Sequence, residues 1–483
     1  MRSLGVLHPR HIRNDHNGWV NMSKTIVTET NTGESFGSVG YRSYVLLTLT
    51  AIYLFNFLDR ILISVLSRPI IEEFSLTNFQ FGILTGIGFA LFYTALGIPI
   101  ARLSERVSRV KIIGVCVILW SLATALCGLA VGFWTLLFAR LAVGVGEAGC
   151  TPPANSLIGD YYKPIDRPVA LSIYATGVTI GIVLAQLSGG LILKAFSWRE
   201  AFIFIGLPGV LIGLIMLFTV KEPPRGYSDP PGTIPMERVG LVEALKNLAR
   251  NKAFWIISIA MSFVTFGGYG LTMFQSLFLQ YTYGMSPGDA AIYYMAPFAF
   301  MGAIGTIIGG VLIKRFIQKS ISATLWLPAL SCFILTPILF FAFLTVNIKQ
   351  AYIAFMIAGL FKYFYIGASY FAVQSIVKTR MRAMAIAILL FAINLLGYGG
   401  GPPFVGAIAD MITSNNIQSL GMTDSLGFDC NPRDTSLADT MRTSCVSVKA
   451  YGMKWALIVS SAMYMVGGLI YLIAIPAYKN AIK

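Results

Sequence analysis

Histidine is scarce in this chain, and its scarcity limits the chemistry that the chain can carry. The 483 residues include three histidines, His8, His11 and His16, and all of them precede the first apolar segment. A histidine-based metal site or a Ser-His catalytic pair within the apolar part of the chain is therefore excluded. The sequence also has no G-x-x-x-x-G-K-S/T loop, so we expect no ATP hydrolysis, no cofactor and no bound metal.

Charged side chains are few as well. Asp, Glu, Lys and Arg make up 12% of the chain, whereas a soluble domain has about 25%. Hydrophobic residues make up 56% and the mean hydropathy is +0.72, which indicates a polytopic membrane protein. The formal net charge of +15 does not predict nucleic-acid binding, because the basic residues lie between apolar segments, as the positive-inside rule requires.

The distribution of apolar residues predicts an all-α membrane protein with twelve transmembrane helices. Residues 1–42 are polar and lack the apolar region of a signal peptide, so we expect a disordered tail. Each later apolar segment reaches the roughly 20 residues that a spanning helix needs. We place these segments near residues 43–66, 79–101, 111–132, 134–159, 168–193, 199–220, 254–282, 289–313, 322–345, 350–377, 383–413 and 450–477.

A basic connection at 221–253 divides the chain into two six-helix halves, 43–220 and 254–478. It begins with the helix-breaking sequence Pro223-Pro224. Apolar residues then recur at helical spacing and predict a short amphipathic helix that lies on the membrane surface and tethers the halves. These residues are Leu241, Ala244, Leu245 and Leu248.

The orientation of the chain in the membrane can be predicted from the distribution of lysine and arginine among the connections. They are concentrated in the connections on the side of the N-terminus, such as 102–111 and 221–252, and few lie in the opposite connections. This asymmetry predicts that both termini are cytoplasmic.

The six cysteines fall into two groups, four in apolar segments and two in a polar loop. Four of them lie in apolar segments without CxxC spacing and are interpreted as packing residues: Cys116, Cys127, Cys150 and Cys332. Cys430 and Cys445 share a long polar loop on the outer side, 414–449. A disulfide is expected there if the loop faces an oxidising compartment, but spacing alone also allows two free thiols.

The fourth apolar segment contains two ionisable residues, Arg140 and Glu147, that lie seven residues apart. On a helix both point the same way, about 10 Å apart. Gly144 and Gly146 between them allow another helix to approach closely. A charge at the centre of a membrane helix costs roughly 2.5–3.5 kcal/mol, so the pair predicts a protein-lined or watery interior. The alternative is an ion pair that only holds helices together.

Several motifs resemble the signatures of the major facilitator superfamily. The connection 101–111 reads ARLSERVSRVK and is similar to that family's loop signature, although Ala101 and Ser108 replace its usual glycines. The fourth segment has the R-x-x-x-G-x-G spacing in Arg140, Gly144 and Gly146. A glycine–proline signature appears in the eleventh segment at Gly397, Gly401, Pro402, Pro403 and Gly406. The resemblance implies the major facilitator fold, with these glycines and Pro402 at close helix contacts.

Within that superfamily, the sequence NFLDR at 56–60 together with GEA at 146–148 resembles bacterial spinster homologues. Anion–cation symporters share a similar Asp-Arg pair. The spinster resemblance implies proton-coupled transport of a lysolipid or another lipid-like solute across a bacterial inner membrane. A small organic anion, such as a sugar acid, is the alternative substrate.

The depths of the charged residues suggest their roles. Asp59 and Arg140 lie at similar depths and could meet across a cavity, while Glu147 lies nearer the middle of the membrane. We hypothesise that Glu147 is the main proton site, that Asp59 is its partner or relay, and that Arg140 pairs with whichever acid is ionised. Arg60 is rotated about 100° from Asp59, so we expect it to pair with the outer end of a neighbouring helix or to contact substrate.

Other candidate residues lie in the second half and in the basic loop. Lys362 could bind an anionic head group, or backbone carbonyls could hold it. Aromatic residues that could line an amphipathic cavity are Tyr53, Phe89, Tyr93, Tyr269, Phe274, Tyr365 and Tyr370. In the loop, charged residues are expected to tie helix ends together when the cytoplasmic side closes, unless the basic ones only set topology. The residues of this gate are Glu105, Arg106 and Arg109, with Asp160 and Asp166 as partners.

These features predict a monomeric secondary transporter that works by alternating access, with protons, an amphipathic anion and the lipid bilayer as its partners. An intramembrane lipid-modifying enzyme would need a nucleophile, base or metal cluster, and the absence of membrane histidine argues against it. A channel is a third class. Two asymmetric halves with single charges favour a transporter over a ringed pore.

Overall fold

The computed structural model describes residues 35–229, 246–377, 381–423, 430–434 and 437–482. Within them, twelve helical spans are long and apolar enough to cross a membrane. We number the spans α1 to α12 in chain order: Val39–Val65, Asn78–Gly97, Arg109–Cys127, Phe133–Tyr161, Arg167–Ala195, Trp198–Thr219, Lys252–Tyr283, Pro287–Ile317, Ala323–Leu344, Ile348–Ser375, Met384–Ser419 and Asp439–Ile482. The predicted all-α fold with twelve spans is confirmed.

Polar side chains begin several of these helices. The Ser38 hydroxyl accepts a hydrogen bond from the backbone N–H of Tyr41 at the start of α1. Thr77 and Gln80 form a capping box at the start of α2, and Asn251 caps α7. These side chains satisfy backbone N–H groups that have no partner within the helix.

Five spans contain an interruption, which in α8 lies near the start of the span. α2 is broken at Gly86, α4 between Glu147 and Thr151, and α10 at 363–364. α8 and α11 contain π-helical turns, Ala290–Met295 and Ile393–Tyr398. In α11 the cause is visible in the sequence, because Pro402 has no N–H to donate to the carbonyl group four residues earlier. Such π turns often occur at functional sites.

The helices extend beyond the predicted segments. α1 begins at Val39 rather than at residue 43, and residues 1–34 of the predicted tail lie outside the described residues. α11 continues to Ser419 and α12 begins at Asp439, so much of the predicted loop 414–449 is helical. Hydropathy marks only the part of a helix that crosses the membrane, which is why the predicted segments stop short of these helix ends. The predicted amphipathic stripe lies mostly outside the described residues.

The two ends of the helix bundle differ in how the halves meet. We call one end the Glu72 end; it includes the short helix Ser67–Glu73 and residues 430–434. We call the other the Arg109 end; it includes the starts of α1 and α3. The closest backbone contacts between the halves lie towards the Glu72 end. There Gly82 and Gly86 of α2 pack against the α11 backbone at Pro402 and Gly399.

Candidate functional site

A buried ion pair between α1 and α4 lies at the centre of the first half. The Arg60 Nη2 donates to Glu147 Oε2 at 2.7 Å, and the Arg60 Nε donates to the same oxygen at 3.2 Å. The two side chains are 5% and 0% exposed. A second contact, from Arg60 Nη2 to Asn56 Oδ1 at 3.4 Å, comes from one turn earlier on α1. A pair this buried requires good geometry to offset the loss of hydration.

Aromatic rings surround the Arg60 guanidinium. The Phe57, Phe89 and Tyr93 rings of the first half lie 4.7–4.8 Å from it. The Tyr398 ring of the second half lies at 5.7 Å. Each such cation–π contact contributes about 0.5–2 kcal/mol, so the rings fix the guanidinium position and exclude water from the pair.

Asp59 and Arg140 lie next to this pair without joining it. Asp59 accepts a hydrogen bond from the Thr124 hydroxyl at 3.3 Å and interacts electrostatically with both Glu147 and Arg140. The Arg140 guanidinium lies 5.6 Å from the Phe89 ring. Its Nε and Nη1, like Asp59 Oδ1 and Glu147 Oε1, are buried and have no hydrogen-bond partner among the described protein groups. This cluster of charged side chains therefore retains unsatisfied donors and acceptors.

The second half contributes one deep cation, Lys362. Its Nζ donates to the Thr272 hydroxyl at 2.8 Å and lies 4.8 Å from the Phe298 ring and 5.2 Å from the Tyr363 ring. The side chain is 4% exposed. Within the described residues no carboxylate forms an ion pair with it. Lys362 ends the first piece of α10, directly before the break at 363–364.

The predicted aromatic residues fall into two groups. Tyr53 stacks on Tyr174 at 4.4 Å between centroids, and the Tyr269 ring packs against Tyr398 at a tilt of 41°. Tyr365 is hydrogen-bonded at 3.5 Å to Thr265, and Tyr370 is half-buried. Phe274 differs, because it is fully buried against Phe81 across the two halves. In this conformation Phe274 belongs to the interface between the halves rather than to a cavity wall.

The Arg109 end contains a charged cluster within the first half. The Arg109 Nε donates to Glu222 Oε1 at 2.6 Å and its Nη1 to Asp160. The same guanidinium reaches Ser156 Oγ at 3.0 Å and the Pro223 carbonyl at 3.1 Å. The cluster joins α3, α4 and the segment after α6.

Charged residues connect the two halves at the Glu72 end. Glu72 accepts hydrogen bonds from Arg68 at 2.6 Å and from Arg433 at 2.8 Å. The Asn431 side chain donates to the Glu72 carbonyl at 2.9 Å and to Ser75 Oγ at 3.0 Å. Cys430, next to Asn431, forms a disulfide with Cys445 of α12. The disulfide that the sequence left open is therefore formed in this structure.

Two more contacts close the same end. The Asp410 carboxylate of α11 accepts from the backbone N–H of Asn78 at 3.0 Å and of Phe79 at 2.8 Å. It thus caps the first turn of α2 from the other half. Lys194 of α5 pairs with Asp289 of α8 at 2.8 Å. The halves are held together at the Glu72 end by polar contacts as well as by close backbone packing.

Comparisons with known proteins agree with this architecture. The sequence model described as Major Facilitator Superfamily matches residues 49–412. A crystal structure of a bacterial homologue of the human lysosomal transporter spinster, in an inward-facing and unoccupied conformation, is 39% identical to this chain. The match covers 92% of this chain and 99% of that one, with a TM-score of 0.85. The chain belongs to the major facilitator superfamily and is of the spinster type.

Curated relatives of this spinster-type transporter have varied names. An MFS-type efflux pump of Mycolicibacterium smegmatis is 29% identical over 367 residues, which are 76% of this chain and 84% of that protein. The sphingosine-1-phosphate transporter SPNS2 of Danio rerio is 26% identical over 375 residues, which are 74% of each chain. These relatives show transport as the general activity and leave the solute of this protein open.

The structure of this transporter corrects the predicted role of Arg60. We expected Arg60 to pair with the outer end of a neighbouring helix or to contact substrate, and in this structure it binds Glu147. A substrate contact of Arg60 stays a prediction. Asp59 and Arg140, for which the sequence allowed a meeting across a cavity, form no ion pair with each other. The 100° rotation between residues 59 and 60 was correct, but α1 is buried on both of those faces. Asp59 therefore contacts α3 while Arg60 contacts α4.

One contact of the predicted gate is formed. Arg109 pairs with Asp160 as expected, and the pair ties the ends of α3 and α4 together within the first half; the opening and closing of this gate stay a prediction. Glu105 and Arg106 are exposed. The partner that sequence reasoning missed is Glu222, just after α6. The contacts that do join the halves, at Asp410 and Arg433, also escaped prediction because no local motif marks them.

The predicted packing glycines lie at close contacts. A Cβ on Gly144 would lie 2.8 Å from the Phe89 carbonyl oxygen, and one on Gly146 would lie 2.6 Å from the Trp120 Cβ. Gly397 and Gly401 lie against Thr265 and Phe266 of α7. In α4 the two glycines thus bring α2 and α3 close to the helix that carries Arg140 and Glu147.

Proposed function

We propose that this protein is a proton-coupled secondary transporter that moves an amphipathic anion of lysolipid type by alternating access. The two six-helix halves, 43–220 and 254–478, rock about a central site, and the connection 221–253 tethers them. The Arg109 end faces the cytoplasm of a bacterial cell, with both termini on that side. This orientation rests on the positive-inside rule. The protein works as a monomer in the inner membrane.

The Arg60–Glu147 pair carries the proposal of proton coupling. Of the two deep acids, Glu147 has a direct ionic partner, and its side chain is 0% exposed. When Glu147 binds a proton, the ionic part of this contact is lost and the Arg60 guanidinium is released. Asp59, which interacts electrostatically with Glu147 and Arg140, would relay the proton. Arg140 stabilises either acid when it is ionised.

The balance of deep charges supports an anionic substrate. Apart from the buried charges near the two ends of the bundle, three cations, Arg60, Arg140 and Lys362, and two acids, Asp59 and Glu147, are buried deep in the spans. With all five ionised the sum is 3 − 2 = +1. An uncompensated charge within a membrane protein is costly, so an anion that enters the site would be stabilised. Lys362, which lacks a carboxylate partner, is the residue we assign to the head group.

The aromatic residues favour an amphipathic anion over a small hydrophilic one. Tyr53, Tyr269, Tyr365 and Tyr370 present rings with one polar atom each, which suits a solute with both a head group and an alkyl chain. The relative named as a sphingosine-1-phosphate transporter supports the same class. A sugar acid would need more hydrogen-bonding side chains around Lys362 than Thr272 alone.

Proton movement evoked by substrate tests the proposal. Purified protein is placed in liposomes that contain a pH-sensitive dye, and a lysophospholipid, a sphingoid phosphate or a sugar acid is added. We expect one of the two lipid anions to evoke proton movement that Glu147→Gln abolishes. Asp439→Asn, which changes an acid whose side chain is 97% exposed, is the matched control and should behave as wild type. Solute transport without proton movement, equal in wild type and Glu147→Gln, would reject proton coupling.

A further inference from the structure

Tyr398 occupies a special place between the two halves. Three of the rings around Arg60 belong to the same half as Arg60, so they move with it. Among the described residues, Tyr398 supplies the ring from the second half, 5.7 Å from the guanidinium. Its phenol also interacts electrostatically with Tyr93 and Glu147. A motion that separates the halves would remove this contact and leave the other three in place.

We propose that Tyr398 is the positioning residue through which the second half responds to the protonation of Glu147. The proposal rests on the proposed function, since it assumes that Glu147 gains and loses a proton during transport. Tyr398 itself neither gains nor loses a proton in this scheme. Its ring keeps α11 in contact with the Arg60 guanidinium.

The position of Tyr398 within α11 explains how a small movement of the Arg60 guanidinium could change the contact between α11 and α2. It is the last residue of the π-helical turn Ile393–Tyr398. The next residues, Gly399 and Pro402, form the backbone contact with Gly86 and Gly82 of α2 that closes the Glu72 end. One short stretch of α11 thus contacts both the Arg60–Glu147 pair and the backbone of α2 at the closed Glu72 end. A π turn can shift by rearranging a few hydrogen bonds, because its ladder is already irregular.

A second contact fixes the Tyr398 ring on its other side. The Tyr269 ring of α7 packs against it at a tilt of 41°, and α7 also packs along α11 at Gly397 and Gly401. The ring is therefore held between Arg60 of the first half and Tyr269 of the second. When Glu147 is neutral, the guanidinium loses its ionic partner and can move, and the ring and the π turn adjust with it.

The experiment measures closure at the Glu72 end with pairs of spin labels. Val131→Cys and Val346→Cys place labels on exposed loops of the two halves at that end, in a variant whose four free cysteines are replaced. The full chain is studied in nanodiscs as four forms: unchanged, Glu147→Gln, Tyr398→Leu and the double variant. Label pairs on Val131→Cys and Phe196→Cys, both in the first half, report whether each variant is folded.

We expect Glu147→Gln to change the ratio of closed to open populations by about threefold or more when Tyr398 is present, and much less when it is leucine. Tyr398→Phe keeps the ring and removes the hydroxyl. If the response to Glu147→Gln is retained in this variant, the effect is due to the ring. Phe404→Leu, on the same helix against Phe266, controls for loosening of α11 and should leave the response to Glu147→Gln intact.

The outcomes separate this inference from the proposed function. If Glu147→Gln changes the populations equally with and without Tyr398, the two residues are independent and the inference is wrong while the proposed function stands. If Glu147→Gln changes nothing in either background, Glu147 does not control the conformation, and both are wrong. If Phe404→Leu abolishes the response as Tyr398→Leu does, the effect is general loosening and the inference fails.

Discussion

Replacing Arg60 with methionine gives the sharpest test of the buried pair, because it removes the guanidinium and keeps a side chain of similar length. Glu147, whose side chain is 0% exposed, would then be buried without an ionic partner. Removing one partner of a buried pair costs about 3–5 kcal/mol. The loss is large beside the roughly 5–15 kcal/mol that separate folded from unfolded states in typical domains. The cation–π contacts with the surrounding rings would be lost as well.

The partner substitution makes this prediction specific. In Arg60→Met/Glu147→Leu both charges of the pair are removed, so neither is left behind without the other, and an apolar pair of similar volume is often as stable as the ion pair it replaces. We expect the double variant to be more stable than Arg60→Met by about 2 kcal/mol or more. Unfolding of the purified protein in detergent, followed by denaturant and by heat, measures the difference. Arg106→Met, at an exposed arginine, should change stability by less than about 0.5 kcal/mol.

One result would refute the reasoning. If the loss in the double variant equals the sum of the two single losses, Arg60 and Glu147 do not stabilise each other. The two side chains would then be close in space without energetic coupling. Protonation of Glu147 would in that case not release Arg60.

Three further predictions concern the contacts between the halves and the lone cation. Asp410→Ala removes the cap on α2, which is worth about 0.5–2 kcal/mol, so the spin-label pair across the Glu72 end should show a larger open fraction. Gly82→Leu should prevent closure at this end, because even a Cβ there would lie 2.5 Å from the Pro402 carbonyl oxygen; labelling of engineered cysteines at that end should rise. Lys362→Ala should weaken binding of an anionic lysolipid about tenfold or more, since a hydrogen bond to a charged group contributes about 1.5–3 kcal/mol, and the KM of transport measures it.

Each of these predictions has a control and a contradicting result. Asp410→Asn keeps the size and one acceptor oxygen and should lie between wild type and Asp410→Ala. Gly97→Leu, at a glycine with open space around its Cβ, should leave closure unchanged. Lys362→Arg keeps the charge and should retain most of the affinity. An unchanged KM for the anion in Lys362→Ala would remove this residue from the substrate site.

The sequence predicted the architecture well because hydropathy and glycine spacing are local signals. Twelve apolar segments, a division into two halves and the Arg140–Gly144–Gly146 motif can all be read within short windows. The deep acids Asp59 and Glu147 were recognised for the same reason, since an ionisable residue in an apolar segment stands out by itself.

The partners of these residues could not be predicted because they depend on which helix faces are buried. Arg60 and Asp59 point to different sides of α1, and a soluble helix would expose one of them. Here α1 has protein on both sides, so Arg60 reaches Glu147. Glu222 and Asp410 lie far along the chain from the groups they bind, Arg109 and the start of α2. Only the assembled bundle brings them together.

Solute accumulation driven by an imposed pH gradient tests the central claim most directly. Liposomes that contain wild-type protein or Glu147→Gln are given a pH gradient, and uptake of a labelled lysolipid anion is followed, with solute exchange at equal pH as the reference. The account predicts accumulation above equilibrium in wild type, none in Glu147→Gln, and exchange in both. Accumulation that persists in Glu147→Gln would show that protons couple elsewhere, and the role assigned to the Arg60–Glu147 pair would be wrong.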